Sequence, residues 1–263
     1  MITEHKISAR KACDAANIVR KIRSYKSKRK RSDDPIIESL STLTEKHPTI
    51  GFWQCYYRMR RMGLCDNHKR VYRIYTSMKL NIRRRAKKRL PARVKQMLYQ
   101  PQLPNQVWSI DFMTDSLWDG RKFRTLNVID DFNRSVLAIE IDTSLPALRV
   151  IRVLENIKQY RKLPEIIRVD NGPEFISARL DIWCKDNNIK LIFIRPGKPT
   201  ENGYVERFNG SFRRELLNAY VFRSLNEVRI LANEWMYDYN NNRPHKALNY
   251  LTPIEYELLA TKN

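Results

Sequence analysis

The chain has 263 residues and a formal net charge of +22, from 50 Lys and Arg against 28 Asp and Glu. The positive charge is concentrated in residues 1–100, which hold 27 basic and 7 acidic residues, whereas residues 101–263 hold 23 and 21. A strong excess of positive charge attracts nucleic acid or an anionic membrane surface. No apolar run reaches the roughly 18 residues that a membrane-spanning helix needs. The composition therefore favours a nucleic-acid partner and argues against a membrane protein.

Cysteine usage and the first residues bear on the compartment. The four cysteines are scattered over both halves and form no CxxC pair, and the chain begins without the apolar segment of a secretory signal. Both features are typical of a protein that stays in a reducing cytoplasm. The expected location is therefore the cytoplasm.

Residues 1–34 predict a basic helical segment, with two short helices on either side of Asn17. A stronger helix signal follows at Asp34 and Pro35, because an acidic residue and a proline are favoured in the first turn of a helix. A further helix is predicted from Phe52 to Met62, and Gly63 supplies the turn after it. The N-terminal part is therefore expected to be all helical.

The next pattern predicts a helix-turn-helix domain over residues 35–82. Asn67 is a favoured N-cap for the helix that follows the turn. His68, Lys69 and Arg70 then occupy the first turn of that helix, the part that such motifs present to the major groove of DNA. The alternative is an ordinary helical hairpin with a solvated basic face. The dense basic runs on both sides, KSKRKR and RRRAKKR, favour DNA contact.

Residues 83–104 are basic and then rich in proline, which is typical of a linker. The pattern after them predicts an antiparallel meander of three strands followed by alternating helices and strands. Such an order gives an α/β fold with a mixed sheet and helices on its faces, here over residues 105–220. Residues 221–263 are predicted to form a C-terminal helical extension. The strands are predicted at 107–112, 122–130, 135–142, 165–170 and 189–195, and the helices at 147–160, 174–187 and 201–217.

Three acidic residues stand out on this predicted sheet. Asp111 lies in the first strand, Asp170 ends the fourth, and Glu206 lies in the helix after the fifth. The first two sit among apolar neighbours, where a carboxylate without a metal or a partner is costly. Carboxylates that converge on one rim of an α/β sheet predict a cation site. Spacing alone leaves other acids in the same neighbourhoods open, namely Asp115, Asp130, Asp131, Glu174 and Glu201.

The expected partner and the acids together indicate phosphodiester chemistry. The negative oxygens of a phosphodiester repel a nucleophile, so cleavage needs positive charge beside them. Mg²⁺ takes a few carboxylates while keeping water and phosphate oxygens as ligands, which suits a site of three acids. Two such ions can activate the attacking oxygen and stabilise the leaving one.

Longer motifs surround each acid. They are WSIDFMTD around Asp111, IRVDNGPEF around Asp170, RPGKPTENGYVERFNGSFRREL around Glu206 and YNNNRPHKALNYLTP from Tyr239 to Pro253. The helical part adds HPTIGFWQCYYRMRRMGLCDNHKRVYRIY. In these motifs the chain resembles the second-frame transposases of bacterial insertion sequences of the insertion-sequence-three family, which carry a DDE core related to retroviral integrases.

This resemblance implies an RNase H-like integrase catalytic core that cleaves DNA and transfers the strand. It implies Mg²⁺ or Mn²⁺ held by Asp111, Asp170 and Glu206. Family members place a basic residue seven positions after the glutamate, which is Arg213 here, and that spacing puts both side chains on one helix face. Arg213 is then expected to hold a DNA phosphate, and Lys198 to face DNA from the loop before the helix.

The resemblance also carries expectations about partners. Double-stranded DNA, as element ends and target, is the implied substrate, and a homo-oligomer on DNA is implied by the joining of two ends. The family usually makes its full transposase by fusion to an upstream reading frame, so the upstream-frame product is an expected partner in the bacterial nucleoid. Arg243 and His245 are expected either to shape the DNA channel or to serve as caps.

Two other functions remain open from the sequence. A structure-selective nuclease of the RNase H type would cut DNA without joining it. A non-catalytic DNA-binding regulator or inhibitor of transposition would use the basic N-terminal half and leave the acids idle. Intact acids favour an enzyme, a metal-dependent polynucleotidyl transferase.

Overall fold

The structure, a computed structural model, describes residues 8–17, 19, 33–65, 67–82, 100–195 and 202–260. Within these residues four helices come first, α1 to α4, and a five-stranded sheet with five further helices follows. The helices are α1 Ala9–Ala15, α2 Asp34–Lys46, α3 Phe52–Arg61, α4 His68–Ser77, α5 Ala147–Lys158, α6 Ala178–Asp186, α7 Gly203–Phe212, α8 Leu225–Asn241 and α9 Pro253–Ala260. The strands are β1 Val107–Ser116, β2 Lys122–Asp130, β3 Val136–Asp142, β4 Ile166–Val169 and β5 Lys190–Phe193.

The sheet has the strand order β3-β2-β1-β4-β5. β1 pairs antiparallel with β2, and β2 with β3, which makes the predicted meander. β4 joins parallel to β1, and β5 parallel to β4, because each is reached through a helical crossover. The prediction of a mixed sheet preceded by a basic helical region is confirmed, and this order of strands is that of the RNase H-like fold.

The two faces of the sheet bury separate cores. Trp108 and Ile110 of β1 point to the face covered by α5 and α6. Met113 points to the opposite face, where it packs with Phe208 and Phe212 of α7 and with side chains of α8. Side chains alternate along a strand, so Asp111 belongs to the face that α7 covers. This alternation brings the strand acid and the helix acid to the same side of the sheet.

The helical region has a core of its own, formed by α2, α3 and α4 around Leu40, Met59 and Val71. Its last helix begins as the sequence predicts, because the Asn67 side chain accepts a hydrogen bond of 2.9 Å from the Lys69 N–H.

In the described part of the chain no helix is both long enough and apolar enough to cross a membrane.

Several elements differ from the predicted ones. β1 extends beyond residue 112 to Ser116, because its pairing with β2 continues to Lys122. α6 begins at Ala178 rather than at residue 174, since the chain after Asp170 first forms turns that bury Phe175. The predicted helix over 201–217 is α7 continued by a π-helical turn at Arg213–Leu217. Lys198, Glu201, residues 83–99 and the second of the short helices around Asn17 lie outside the described residues.

Candidate active site

Asp111 lies in the middle of β1, and two N–H groups hold its carboxylate. Oδ1 accepts from the Phe112 N–H at 2.9 Å, and Oδ2 accepts from Nδ2 of Asn209 at 2.7 Å. The Asn209 Oδ1 in turn accepts from Nδ2 of Asn127 at 2.7 Å. Because Asn127 on β2 occupies the amide oxygen of Asn209, the Asn209 amide nitrogen is directed at Asp111. The two asparagines therefore orient the carboxylate.

Burial raises the pKa of Asp111 to about 6. The two hydrogen bonds oppose this rise, and the negative charges of Asp170 and Glu206 add to it. Asp170 and Glu206 thus lie within electrostatic reach of Asp111. The site concentrates negative charge, and a cation placed there would relieve the repulsion.

Asp170 directly follows β4. Ser109 of β1 pairs with Arg168 of β4, so Asp111 and Asp170 each lie two residues beyond that pair on neighbouring parallel strands. The Gly172 N–H donates to Asp170 Oδ1 at 3.0 Å, and a Cβ at Gly172 would stand 3.0 Å from that oxygen. A larger residue at this turn would displace the carboxylate.

Glu206 lies in the first turn of α7 and is exposed. Partial burial raises its pKa. Among the described residues, neither Asp111, Asp170 nor Glu206 forms an ion pair. Within the same residues no three His, Cys, Asp or Glu side chains are grouped closely enough to hold a metal ion by themselves. The three acids are therefore near one another but do not form a closed cage.

Arg213 lies at the end of α7, where its guanidinium reaches the far part of β1. Nη2 donates to the Thr114 carbonyl at 2.8 Å, and Nη1 pairs with Asp115 Oδ2 at 3.2 Å. Its side chain remains 39% exposed. Asp115 lies four residues after Asp111 on the same face of β1, so Arg213 shares the face that carries Asp111 but meets the strand roughly 13 Å further along.

Four of the alternative acids are engaged by arginines. Glu174 pairs with Arg124, a contact that lowers the pKa of the glutamate. The remaining three also have arginine partners, which leaves Asp111, Asp170 and Glu206 as the candidate acids without such partners among the described residues. These pairs are Asp115 with Arg213, Asp130 with Arg161 and Asp131 with Arg168.

The sequence analysis did not identify Asn127 and Asn209. Asn209 is three residues after Glu206, so helical spacing alone places both on neighbouring parts of one face. Asn127 is a polar residue inside the apolar strand LNVID and is fully buried. The spacing of Asn209 and the polarity of Asn127 are visible in the sequence, but neither feature indicates that Asn127 bonds to Asn209 or that Asn209 bonds to Asp111.

The residues predicted to contact DNA differ in their surroundings. His68 and Lys69 are exposed in the first turn of α4. Arg70 instead turns back to α2 and pairs with Asp33 at 2.7 Å. That ion pair lowers the pKa of Asp33 and ties the start of α2 to α4.

Comparison with known families identifies the core. Two models described as the integrase core domain match residues 101–199 and 187–253. Among solved structures, a simian T-cell lymphotropic virus intasome in complex with PP2A regulatory subunit B56 gamma superposes with a TM-score of 0.54 at 18% identity, covering 85% of this chain and 74% of that one. At this identity the likeness shows the fold.

Curated relatives match nearly the whole chain. The uncharacterized 31.7 kDa protein of insertion element IS407 from Burkholderia multivorans is 39% identical over 250 residues, 95% of this chain and 90% of the relative. The 39.2 kDa protein of insertion element IS476 from Xanthomonas euvesicatoria is 33% identical, over 97% of this chain and 74% of the relative. InsK of insertion sequence element IS150 from Escherichia coli, provisionally named a transposase, is 27% identical over 81% of this chain and 78% of the relative. The chain therefore belongs to the DDE transposases of bacterial insertion sequences, in the insertion-sequence-three family with an integrase core domain.

Proposed function

We propose that this transposase holds divalent cations, Mg²⁺ or Mn²⁺, on Asp111, Asp170 and Glu206, and uses them to cut element ends and join them to target DNA. The observation that carries the proposal is the concentration of carboxylates around Asp111 without arginine partners among the described residues. The oxygen-only donor set suits Mg²⁺, which is usually bound by one or two carboxylates together with water and substrate phosphates. An open group of acids that completes its cation site only when DNA supplies phosphate oxygens is consistent with this mode of Mg²⁺ binding.

The chain's own residues account for the arrangement of the reaction. Bound cations would stabilise the charge that develops on the attacking and leaving oxygens of the phosphodiester. Asn209 donates to Asp111, and the Gly172 N–H donates to Asp170. The two carboxylates lie at adjacent positions, each two residues beyond the paired Ser109 and Arg168. Water serves as the nucleophile for cleavage, and the freed 3′-hydroxyl of the element serves for joining, so each displacement proceeds without a covalent protein intermediate.

Arg213 supplies the positioning charge in this proposal. It exchanges its pairing with Asp115 for a DNA phosphate, because a guanidinium can hold phosphate oxygens with two parallel N–H groups. His68 and Lys69 contact DNA from the first turn of α4, and Lys198 contacts it from the part of the sequence before α7. Arg70 would join them by exchanging Asp33 for a phosphate.

We also infer an organisation for the whole assembly. In this proposal residues 1–34 are the basic N-terminal segment, 35–82 read DNA, 83–104 serve as a linker, 105–220 catalyse and 221–263 extend the core. The IS476 and IS407 relatives come from insertion elements, so the DNA substrate is the element's own ends. Joining two ends calls for more than one copy on DNA. The upstream-frame product acts as a fusion or partner, and the work takes place at the nucleoid in the cytoplasm.

One experiment separates this function from its rivals. The protein is incubated with labelled element ends, target plasmid and Mg²⁺, with and without the upstream-frame product. We expect 3′-end cleavage followed by joined products. Cutting without joining would instead identify a structure-selective nuclease. Stable binding of ends with no cleavage under either condition would identify a regulator, a function that the family membership does not favour.

A further inference from the structure

One face of α3 is turned toward the C-terminal part of the chain. Gln54, Tyr57, Arg58 and Arg61 follow the spacing i, i+3, i+4 and i+7, which places them on a single helix face. Each of these side chains contacts a residue between positions 238 and 255, which we call the docking segment. The other face of α3 packs into the core of the helical region.

Two ion pairs join α3 to the docking segment. Arg58 Nη1 donates to Asp238 Oδ1 at 2.8 Å and Nη2 to Oδ2 at 2.5 Å, with side chains only 8% and 13% exposed. One turn further along α3, Arg61 pairs with Glu255 at the start of α9. A two-pronged arginine–carboxylate contact fixes orientation as well as distance. The mostly buried pair therefore sets how α3 sits on α8.

A ring contact and a backbone contact complete the junction. The Tyr57 ring stacks on Tyr250 with centroids 3.6 Å apart and planes 19° from parallel, and Gln54 Nε2 donates to the Pro244 carbonyl at 2.9 Å. Tyr250 has φ +65° and Asn249 has φ +54°. The left-handed region is unfavourable for a large side chain and persists only where the surroundings impose it. The segment is thus held in a shape that presents Tyr250 to α3.

The docking segment also reaches the helix that carries Glu206. Arg243 makes a two-pronged pair with Glu215, with Nη2 to Oε1 at 2.9 Å, and its guanidinium lies 5.3 Å from the Tyr239 ring centroid. Glu215 belongs to the π-helical turn that begins at Arg213 and continues α7 directly. The docking segment therefore contacts the helical region through α3 and also contacts the π-helical turn that continues α7.

We propose that the docking segment fixes the distance between the DNA-reading helix α4 and the catalytic carboxylates, and so determines where the element end is cut. The position of α4 depends on that of α3 because the two helices pack together, with the Phe52 and Tyr75 ring centroids 5.5 Å apart. Asp238 and Arg58 act here as positioning residues, since neither touches the reacting atoms. This inference rests on the proposed function, because it concerns the position of the cut that the carboxylates make.

The test breaks and then rebuilds the ion pair in the full-length chain, together with the upstream-frame product. Arg58→Asp, Asp238→Arg and the double exchange are compared with wild type, and 3′ ends are mapped by sequencing on a labelled element end. Each single change puts two like charges together in a poorly solvated contact, so we expect cutting at the wild-type position to fall roughly tenfold while cuts spread to neighbouring positions. The double exchange should restore the wild-type position.

Matched variants guard against loss of folding and against a simple charge effect. Arg60→Asp makes the same charge change at an exposed position of α3 and should leave the distribution of cuts unchanged. Tyr57→Ala removes the stack without burying a charge and should broaden the cuts more mildly. The inference is overturned if Tyr57→Ala and both single charge changes cut at the wild-type position with the wild-type share. It is also overturned if they cut faster there, since the junction would then restrain the enzyme.

A binding measurement separates this inference from the proposed function. If the wild-type protein cuts nothing, the proposed function fails, and hydroxyl-radical footprinting on the same DNA takes the place of cleavage. We then expect wild type to protect one stretch through the helical region and a second at a fixed spacing through the core. Arg58→Asp should keep the first and lose the second, and the double exchange should recover it. An unchanged footprint for Arg58→Asp would overturn the inference.

Discussion

Asp111 lies in β1 and Asp131 directly follows β2, and burial raises the pKa of each to about 6. Their neighbours are opposite in charge. The Asp131 carboxylate accepts from the Ser109 hydroxyl at 2.9 Å and pairs with Arg168 at 2.9 Å. Asp111 accepts from two neutral N–H groups and faces two further carboxylates. A raised pKa therefore does not distinguish the proposed cation ligand Asp111 from Asp131; the charge of the groups around each carboxylate does.

The largest expected effect is the loss of strand cleavage in a variant of Asp170. Normal cleavage by this variant would contradict the comparison drawn between Asp111 and Asp131. Asp170→Asn removes one of the charges that attract the cation, so strand cleavage should fall by at least roughly a thousandfold, the loss expected from several kcal/mol of transition-state stabilisation. DNA binding by gel shift should change little. The matched control is Asp181→Asn on the exposed side of α6, which should cut normally. Wild-type cleavage by Asp170→Asn would remove Asp170 from the site.

The paired acid should give the opposite result. Asp131→Asn leaves Arg168 buried without its counter-charge, so the free energy of unfolding should fall by about 3 kcal/mol, as when one partner of a buried ion pair is removed. Urea unfolding followed by circular dichroism measures this change. At a temperature where the variant is folded, its cleavage rate should match wild type. A stable Asp131→Asn protein that no longer cleaves DNA would show that the two acids have been assigned the wrong way round.

A smaller effect should appear at the amide that orients Asp111. Asn209→Ala removes the 2.7 Å hydrogen bond to Oδ2, and cleavage should fall by roughly 10–100-fold, as for partners of metal ligands elsewhere. The loss should be larger at low Mg²⁺, since an unoriented carboxylate binds the cation less well. Ser211→Ala, at a half-buried position of the same helix whose hydroxyl donates to the Arg207 carbonyl, is the control. Equal rates for Asn209→Ala and wild type at every Mg²⁺ concentration would rule out an orienting role.

The pH dependence of stability gives the mildest test. The pKa of Asp111 is higher in the folded protein than its ordinary value of 3.8, so the folded state binds the proton more tightly and loses stability as pH rises from about 4 to 6. Asp111→Asn lacks this titration. Without divalent cations, the unfolding free energy of the variant minus that of wild type should therefore rise between pH 4 and pH 7, on the order of 2 kcal/mol. A difference that does not change with pH would contradict the raised pKa of Asp111, which burial causes and the charges of Asp170 and Glu206 increase.

The sequence by itself determined the elements and the family. Short apolar segments between turns predicted the five strands of the described sheet, and helical spacing with the Asn67 cap predicted α2 to α4, because these patterns depend on neighbours a few residues apart. Boundaries were less predictable. The late start of α6 follows from the turn that Gly172 and Phe175 form, and the length of β1 follows from its pairing with β2. Motifs around Asp111, Asp170 and Glu206 identified the three acids as candidates.

Only the tertiary structure decided which acids have counter-charges. Asp131 meets Arg168 across 37 residues of chain, Glu174 meets Arg124 across 50, and Asp238 meets Arg58 across 180. No local pattern carries these pairings, since they depend on how strands and helices are stacked. The same holds for the amides that orient Asp111 and for the junction between α3 and the docking segment. Sequence named the residues able to do the chemistry, whereas packing decided which carboxylates stay free of arginine in the described core.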